Sequence, residues 1–229
     1  MLVKPKIREL LDKIEQVKPY LELIGYKMNQ TNTREALANL TYLYMTDYNK
    51  MLFTLDDTVM NGHYPVPVRI YHPEPGTALP VAIFIHGGGH MAGGITVYDG
   101  IVRKLCASIK HIVVSIEYRL APEFAHPTGI EDAKAAIRGV FKVLEDRKIV
   151  YTSRDLTLIG DSAGGAVCAS IIRDKEFVAI EQIKKQVLIY PSLDYTLNSP
   201  SMETFGSGYL LEKSKVAWYI KNKSCKYER

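Results

Sequence analysis

The sequence predicts an α/β protein: a mostly parallel central sheet with helices on both faces. Three observations predict it. Short, mostly apolar runs recur between residues 81 and 190. Such runs suit strands buried on both faces. Stretches with helical periodicity separate them, and strands joined through helices form parallel sheets. Finally, one serine is bracketed by glycines, in Gly160-Asp161-Ser162-Ala163-Gly164, where such a strand passes into a helix.

Residues 1–50 read as a separate helical segment. Val3, Ile7, Leu10, Ile14, Val17 and Leu21 alternate spacings of four and three, which is one face of a helix. That face is expected to pack on the chain's own domain. Thr33 is placed to cap a second helix running through Leu43. Residues 51–229 read as the core. Strands at 52–59 and 64–71 flank Asn61-Gly62, a hairpin signal. The βα alternation then begins. Strands are predicted at 81–85, 111–116, 156–159 and 186–190. Helices are predicted at 98–109, 130–144, 163–173 and 213–221. The helix over 130–144 carries Ala133, Ala136, Ile137, Val140, Phe141 and Leu144 on one side.

Composition excludes several classes. The chain has 229 residues, 47% hydrophobic and 24% charged, enough to bury a core unaided. Cys106, Cys168 and Cys225 are too scattered for a disulfide framework or a metal cluster, so reduced thiols and a cytoplasmic location are expected. The opening residues carry charges where a leader needs an apolar run. No stretch is long and apolar enough to span a membrane. The net charge is +4, and residues 212–229, with six basic and two acidic side chains, account for it. That run reads as a solvated end, so no nucleic-acid partner is expected.

Two motifs carry chemistry. Gly160-Asp161-Ser162-Ala163-Gly164 satisfies G-x-S-x-G in its required strand–turn–helix context. A serine on so tight a turn needs small residues two positions either side. The turn sets its hydroxyl at a helix N-terminus, where negative charge is favoured. The second motif, His86-Gly87-Gly88-Gly89, follows the strand over 81–85. Consecutive glycines let backbone N–H groups approach a substrate carbonyl and hold the oxyanion of acyl transfer. The N–H of Ala163, after the serine, is the expected partner donor.

These motifs, with Tyr118-Arg119-Leu120-Ala121-Pro122-Glu123 between them and Tyr190-Pro191-Ser192-Leu193-Asp194 after, resemble the hormone-sensitive-lipase family of α/β-hydrolases. The resemblance runs from about residue 52 to about 219. It implies an α/β-hydrolase fold and hydrolysis of small acyl esters, with Ser162 as nucleophile. It implies Gly88, Gly89 and Ala163 as oxyanion donors, with His86, Gly87, Gly160, Asp161 and Gly164 supporting them. It implies that the N-terminal helices form a cap and that Arg119 and Glu123 brace the site. No metal or cofactor is implied.

The family's chain order of serine, acid, histidine is not met. All six histidines (His63, His72, His86, His90, His111, His126) precede Ser162. The resemblance therefore implies that the last strands, the acid and the histidine are missing, and that the chain has low activity. His90 and His126 are the substitutes to weigh, while His63, His72 and His111 are expected at the surface. The strand over 186–190 is then expected to form a sheet edge, open to pairing with a second copy. The alternative is an inactive hydrolase that binds a ligand or partner.

Overall fold

The hairpin forms one residue later than its signal. In the computed structural model, which describes residues 3–45 and 53–223, β1 (Phe53–Asn61) pairs antiparallel with β2 (Tyr64–His72), closing on Asn61 opposite Tyr64. The turn is therefore Gly62-His63, and Gly62 holds φ +60°, which glycine adopts without a steric penalty. Leu52, predicted to open β1, lies outside the described residues. β3 (Leu79–Ile85), β4 (Ile112–Ile116), β5 (Tyr151–Asp161) and β6 (Ile183–Ile189) run parallel, with β2 antiparallel beside β4. The six-stranded order is β1-β2-β4-β3-β5-β6.

Alternation along the strands divides the core in two. Val81, Ile83 and Ile85 of β3 pack with α4 (Thr128–Asp146) and α5 (Ala163–Arg173). Ala82 and Phe84 face the other way, onto Val102 and Cys106 of α3 (Ile95–Ile109). Both faces are dry, which is why the run contains no polar residue. α3 starts three residues before its predicted start. Its first N–H is satisfied by the Glu117 carboxylate, 2.6 Å from Ile95 N, and a cap lent by a distant loop leaves no local signal. β5 likewise starts early. Its residues 152–155 are exposed and polar, so the apolar criterion misses them.

The ends of the chain depart further from expectation. α1 (Pro5–Leu23) and α2 (Gln30–Tyr44) form, but Thr33 is not the cap. Asn29 and Asn32 build a reciprocal capping box at 2.9 Å each way, and Thr33 lies buried in the first turn. Leu11, off the predicted stripe, is the buried residue of α1, while Ile7 and Val17 on the stripe are half exposed. Residues 46–50 of the predicted helical segment lie outside the described residues. α6 (Pro200–Phe205) was not anticipated, and α7 (Lys213–Lys223) forms where predicted.

Two arginines tie loops to this frame. Arg119 donates to Asp132 through its backbone N (3.0 Å), Nε (2.9 Å) and Nη2 (2.7 Å), and Asn61 Nδ2 adds a fourth bond at 2.7 Å. Burial pushes the Asp132 carboxyl up, but these bonds and the Arg119 charge outweigh it and hold it below its usual range. A depressed folded pKa stabilises above the ordinary carboxylate range and is lost as pH falls through the folded value. Asp132→Asn is expected to cost about 2 kcal/mol at neutral pH. Its urea-melt stability should also fall less steeply below about pH 4 than that of the parent chain.

Arg34 of α2 donates to Met91 O at 2.7 Å and Ala121 O at 3.2 Å, and forks onto Glu123 at 2.9 and 2.7 Å. It pins α2 to both loops beside the site. Arg34→Ala is expected to speed chymotryptic release of residues 1–52 about tenfold, the factor for about 1.4 kcal/mol of local opening.

Candidate active site

Ser162 occupies the turn between β5 and α5 with φ +50° and ψ −116°. A non-glycine residue there stores about 1–3 kcal/mol of strain, so the surroundings must impose it. Ser162 N donates to Ile189 O at 2.9 Å, and Ser162 O accepts from Ser192 N and Ala166 N at 3.1 Å each. The bracketing glycines permit the turn by close approach. A Cβ on Gly160 would stand 2.5 Å from the Gly164 carbonyl, and one on Gly164 would overlap Ile85 O and lie 2.7 Å from His86 O.

The His86-Gly87-Gly88-Gly89 loop leaves the end of β3. Gly88 and Gly89 hold φ +104° and +65°. Gly88 O accepts from Met91 N and Ala92 N, at 3.1 and 2.9 Å. Asp161 joins the two motifs: its carboxylate accepts from Gly87 N at 2.8 Å and from Tyr98 OH at 3.0 Å. Burial raises the Asp161 carboxyl's pKa despite both bonds. His86 is fully buried and stacks on Tyr118 with ring centroids 4.4 Å apart. Its Nδ1 donates to Gly87 O at 2.8 Å, and Tyr118 OH donates to His86 O at 2.8 Å. Burial pulls the His86 pKa down to about 4, so the ring is neutral.

Ser162, Ala163, Gly88, Gly89 and Asp161 line one cavity of about 940 Å³. His86, Gly87, Gly160 and Gly164 stand behind it. Among the described residues, no hydrogen bond uses the N–H of Gly88, Gly89 or Ala163, or the Ser162 hydroxyl. Leu10, Ile14 and Leu21 of α1 and Thr33, Leu37 and Leu40 of α2 line other walls. The predicted stripe of α1 thus faces this cavity with three of its six residues. α7 closes over the glycine loop, where a Cβ on Gly89 would lie 2.5–2.7 Å from the Tyr219 ring.

Of the histidines, His90 lines the cavity. Its Nε2 is 3.0 Å from Tyr195 OH. Burial, then the charge of Lys223, lowers its pKa to about 4. His126 does not line that cavity, and its backbone N donates to Lys223 O at 3.1 Å. His72, expected at the surface, is 2% exposed, because it is the last residue of β2 and pairs with Phe53 of β1 instead of lying in an open turn. Asp194 lines the cavity and accepts from Thr196 N at 2.8 Å, whereas Asp174 pairs with Lys134 at 2.5 Å. The basic run near the end is not merely a solvated surface. Lys215 and Lys223 turn toward the cavity on the same face of α7 as Tyr219. Cys225 and the rest of 224–229 lie outside the described residues. Among the described residues, no group of three His, Cys, Asp or Glu side chains suits a metal, and no helix is long and apolar enough to cross a membrane.

The family profile for the alpha/beta hydrolase fold matches residues 82–227. The chain is 37% identical over 158 residues to the carboxylic ester hydrolase LipN of Mycobacterium tuberculosis, covering 67% of this chain and 42% of that protein. It is 35% identical over 224 residues to esterase LipI of the same organism, covering 94% and 68%. The solved hyperthermophilic esterase from Pyrobaculum calidifontis superposes with a TM-score of 0.82 at 28% identity, covering 99% of this chain and 71% of that one. The chain spans about half the length of several curated relatives it matches. With that family match over most of the chain and these esterase relatives, the chain belongs to the alpha/beta hydrolases of the hormone-sensitive-lipase type.

Proposed function

We propose that the chain carries the nucleophile and oxyanion half of a carboxylic ester hydrolase for small acyl esters. One observation carries this: the free hydroxyl of Ser162 opens into a cavity beside three unspent backbone donors, Gly88, Gly89 and Ala163. Ser162 Oγ attacks the ester carbonyl, and those N–H groups receive the oxyanion. Collapse expels the alcohol and leaves an acyl-serine, which water cleaves to the acid and free serine. Helices α1 and α2 act as a cap whose apolar side chains receive the acyl chain. His86, Gly87, Gly160, Asp161 and Gly164 hold the two motifs in register. The activity belongs in the cytoplasm.

The serine proton needs a base. His90 is neutral at pH 7, but its low pKa makes it a weak base, and its Nε2 faces Tyr195. Slow turnover follows. The same observation favours a second reading, in which the cavity binds esters and acids without cleaving them. β6 is an edge of the described sheet, with Val187 exposed, and pairs with a second copy in solution, giving a dimer by light scattering.

Burst kinetics with 4-nitrophenyl butyrate test the function. One equivalent of nitrophenol per chain, followed by slow turnover, supports the acyl-enzyme. If His90 takes the proton, its neutral form is required, so the burst rate rises through about pH 4 and is flat at neutral pH. Saturable binding of the ester with no burst supports the second reading.

A further inference from the structure

The apolar face of α7 carries two cations where a small-ester pocket needs none. Lys215 and Lys223 lie four residues either side of Tyr219, whose ring contacts Gly89. Four helical residues rise about 6 Å, so each lysine stands one turn from the residue touching the glycine loop. Between them the face is apolar, with Val216 and Ile220.

The two lysines are not equally free. Lys223 Nζ sits 3.6 Å over the Tyr195 ring, a cation–π contact that satisfies it locally. Lys215 has no carboxylate within ion-pair reach among the described residues. The acid whose charge acts on it, Glu212, is held by Lys18 at 2.7 Å and by Gly208 N at 3.2 Å. Of the acids that line the cavity, Asp161 is bonded to Gly87 and Tyr98, and Asp194 to its own loop. A half-buried ammonium left without a counter-charge is costly, and burial already pulls the Lys215 pKa down. Across the same cavity, the Thr33 hydroxyl is also buried with no partner among the described residues. The cavity therefore holds hydrogen-bond capacity that a wholly apolar ester cannot use.

Resting on the ester-hydrolase reading, we infer that Lys215 makes this cavity selective for esters that carry a carboxylate. The ammonium, one turn from Tyr219, meets a carboxylate a few bonds from an ester carbonyl held at the glycine loop. The carboxylate is borne by either the acyl or the alcohol part, and both are tested. kcat/KM is compared for monomethyl adipate against methyl hexanoate, and for 4-butyryloxybutanoate against pentyl butyrate. In one pair the charged ester is expected to be preferred about tenfold, the size of one charge-assisted bond net of desolvation. Lys215→Gln should erase that preference, Lys215→Arg should keep most of it, and salt should weaken it. No preference in either pair, or one that survives Lys215→Gln, overturns the inference. If no ester is cleaved, the hydrolase reading fails separately. Calorimetric binding of monomethyl adipate to the parent chain and to Lys215→Gln then decides: about tenfold weaker binding in the variant supports the cation site, and equal binding overturns it.

Discussion

Ser162→Ala is expected to abolish the nitrophenol burst and to bring the slow ester turnover down to the rate of the buffer with no protein. The serine hydroxyl makes no hydrogen bond among the described residues, so the substitution removes the attacking atom and little else. Alanine must still adopt φ +50°, so the strain remains and the melt should move by under about 0.5 kcal/mol. Loss of turnover with unchanged stability separates chemistry from folding. Turnover that persists in Ser162→Ala would mean another group attacks the ester. Ser192, which lines the same cavity, would be the first to examine.

Gly164→Ala is expected to have the opposite signature. The new methyl would overlap Ile85 O at the end of β3 and press on His86 O. Both are backbone atoms of a buried strand end and cannot rotate away. α5 would have to lift off the sheet, which carries Ser162 out of register with the glycine loop. A cost of about 3 kcal/mol or more follows. Urea unfolding should show it, with activity lost in parallel. An Ala variant as stable as the parent would mean the turn can relax, and the close-packed account of the glycine pair would fail.

What was legible in the sequence was what the chain encodes locally. The apolar run over 81–85 announces a strand because both its faces meet helices. The serine turn is legible because Gly160 meets Gly164 itself, four residues on. Features set by distant partners were not legible. Glu117 starts α3, Arg34 pins α2 to two loops, and Tyr219 covers Gly89, and none of these pairings leaves a periodic or spacing signal. The basic run after residue 212 misled for the same reason. Its charge count suits a solvated end, but the face that Tyr219 and Val216 bury takes Lys215 and Lys223 with it. Thr33 looked like a cap because it is the residue type that caps, while the reciprocal Asn29–Asn32 pair began the helix earlier.

A competent nucleophile at Ser162 would react with an electrophilic phosphonate as well as with an ester. Labelling the folded chain with a fluorophosphonate, followed by peptide mass mapping, tests this most directly. A single adduct is expected on the peptide containing Ser162, absent from Ser162→Ala and slowed when an ester substrate fills the cavity. No adduct on a chain that melts cooperatively, or an adduct on another residue, would contradict a nucleophilic Ser162.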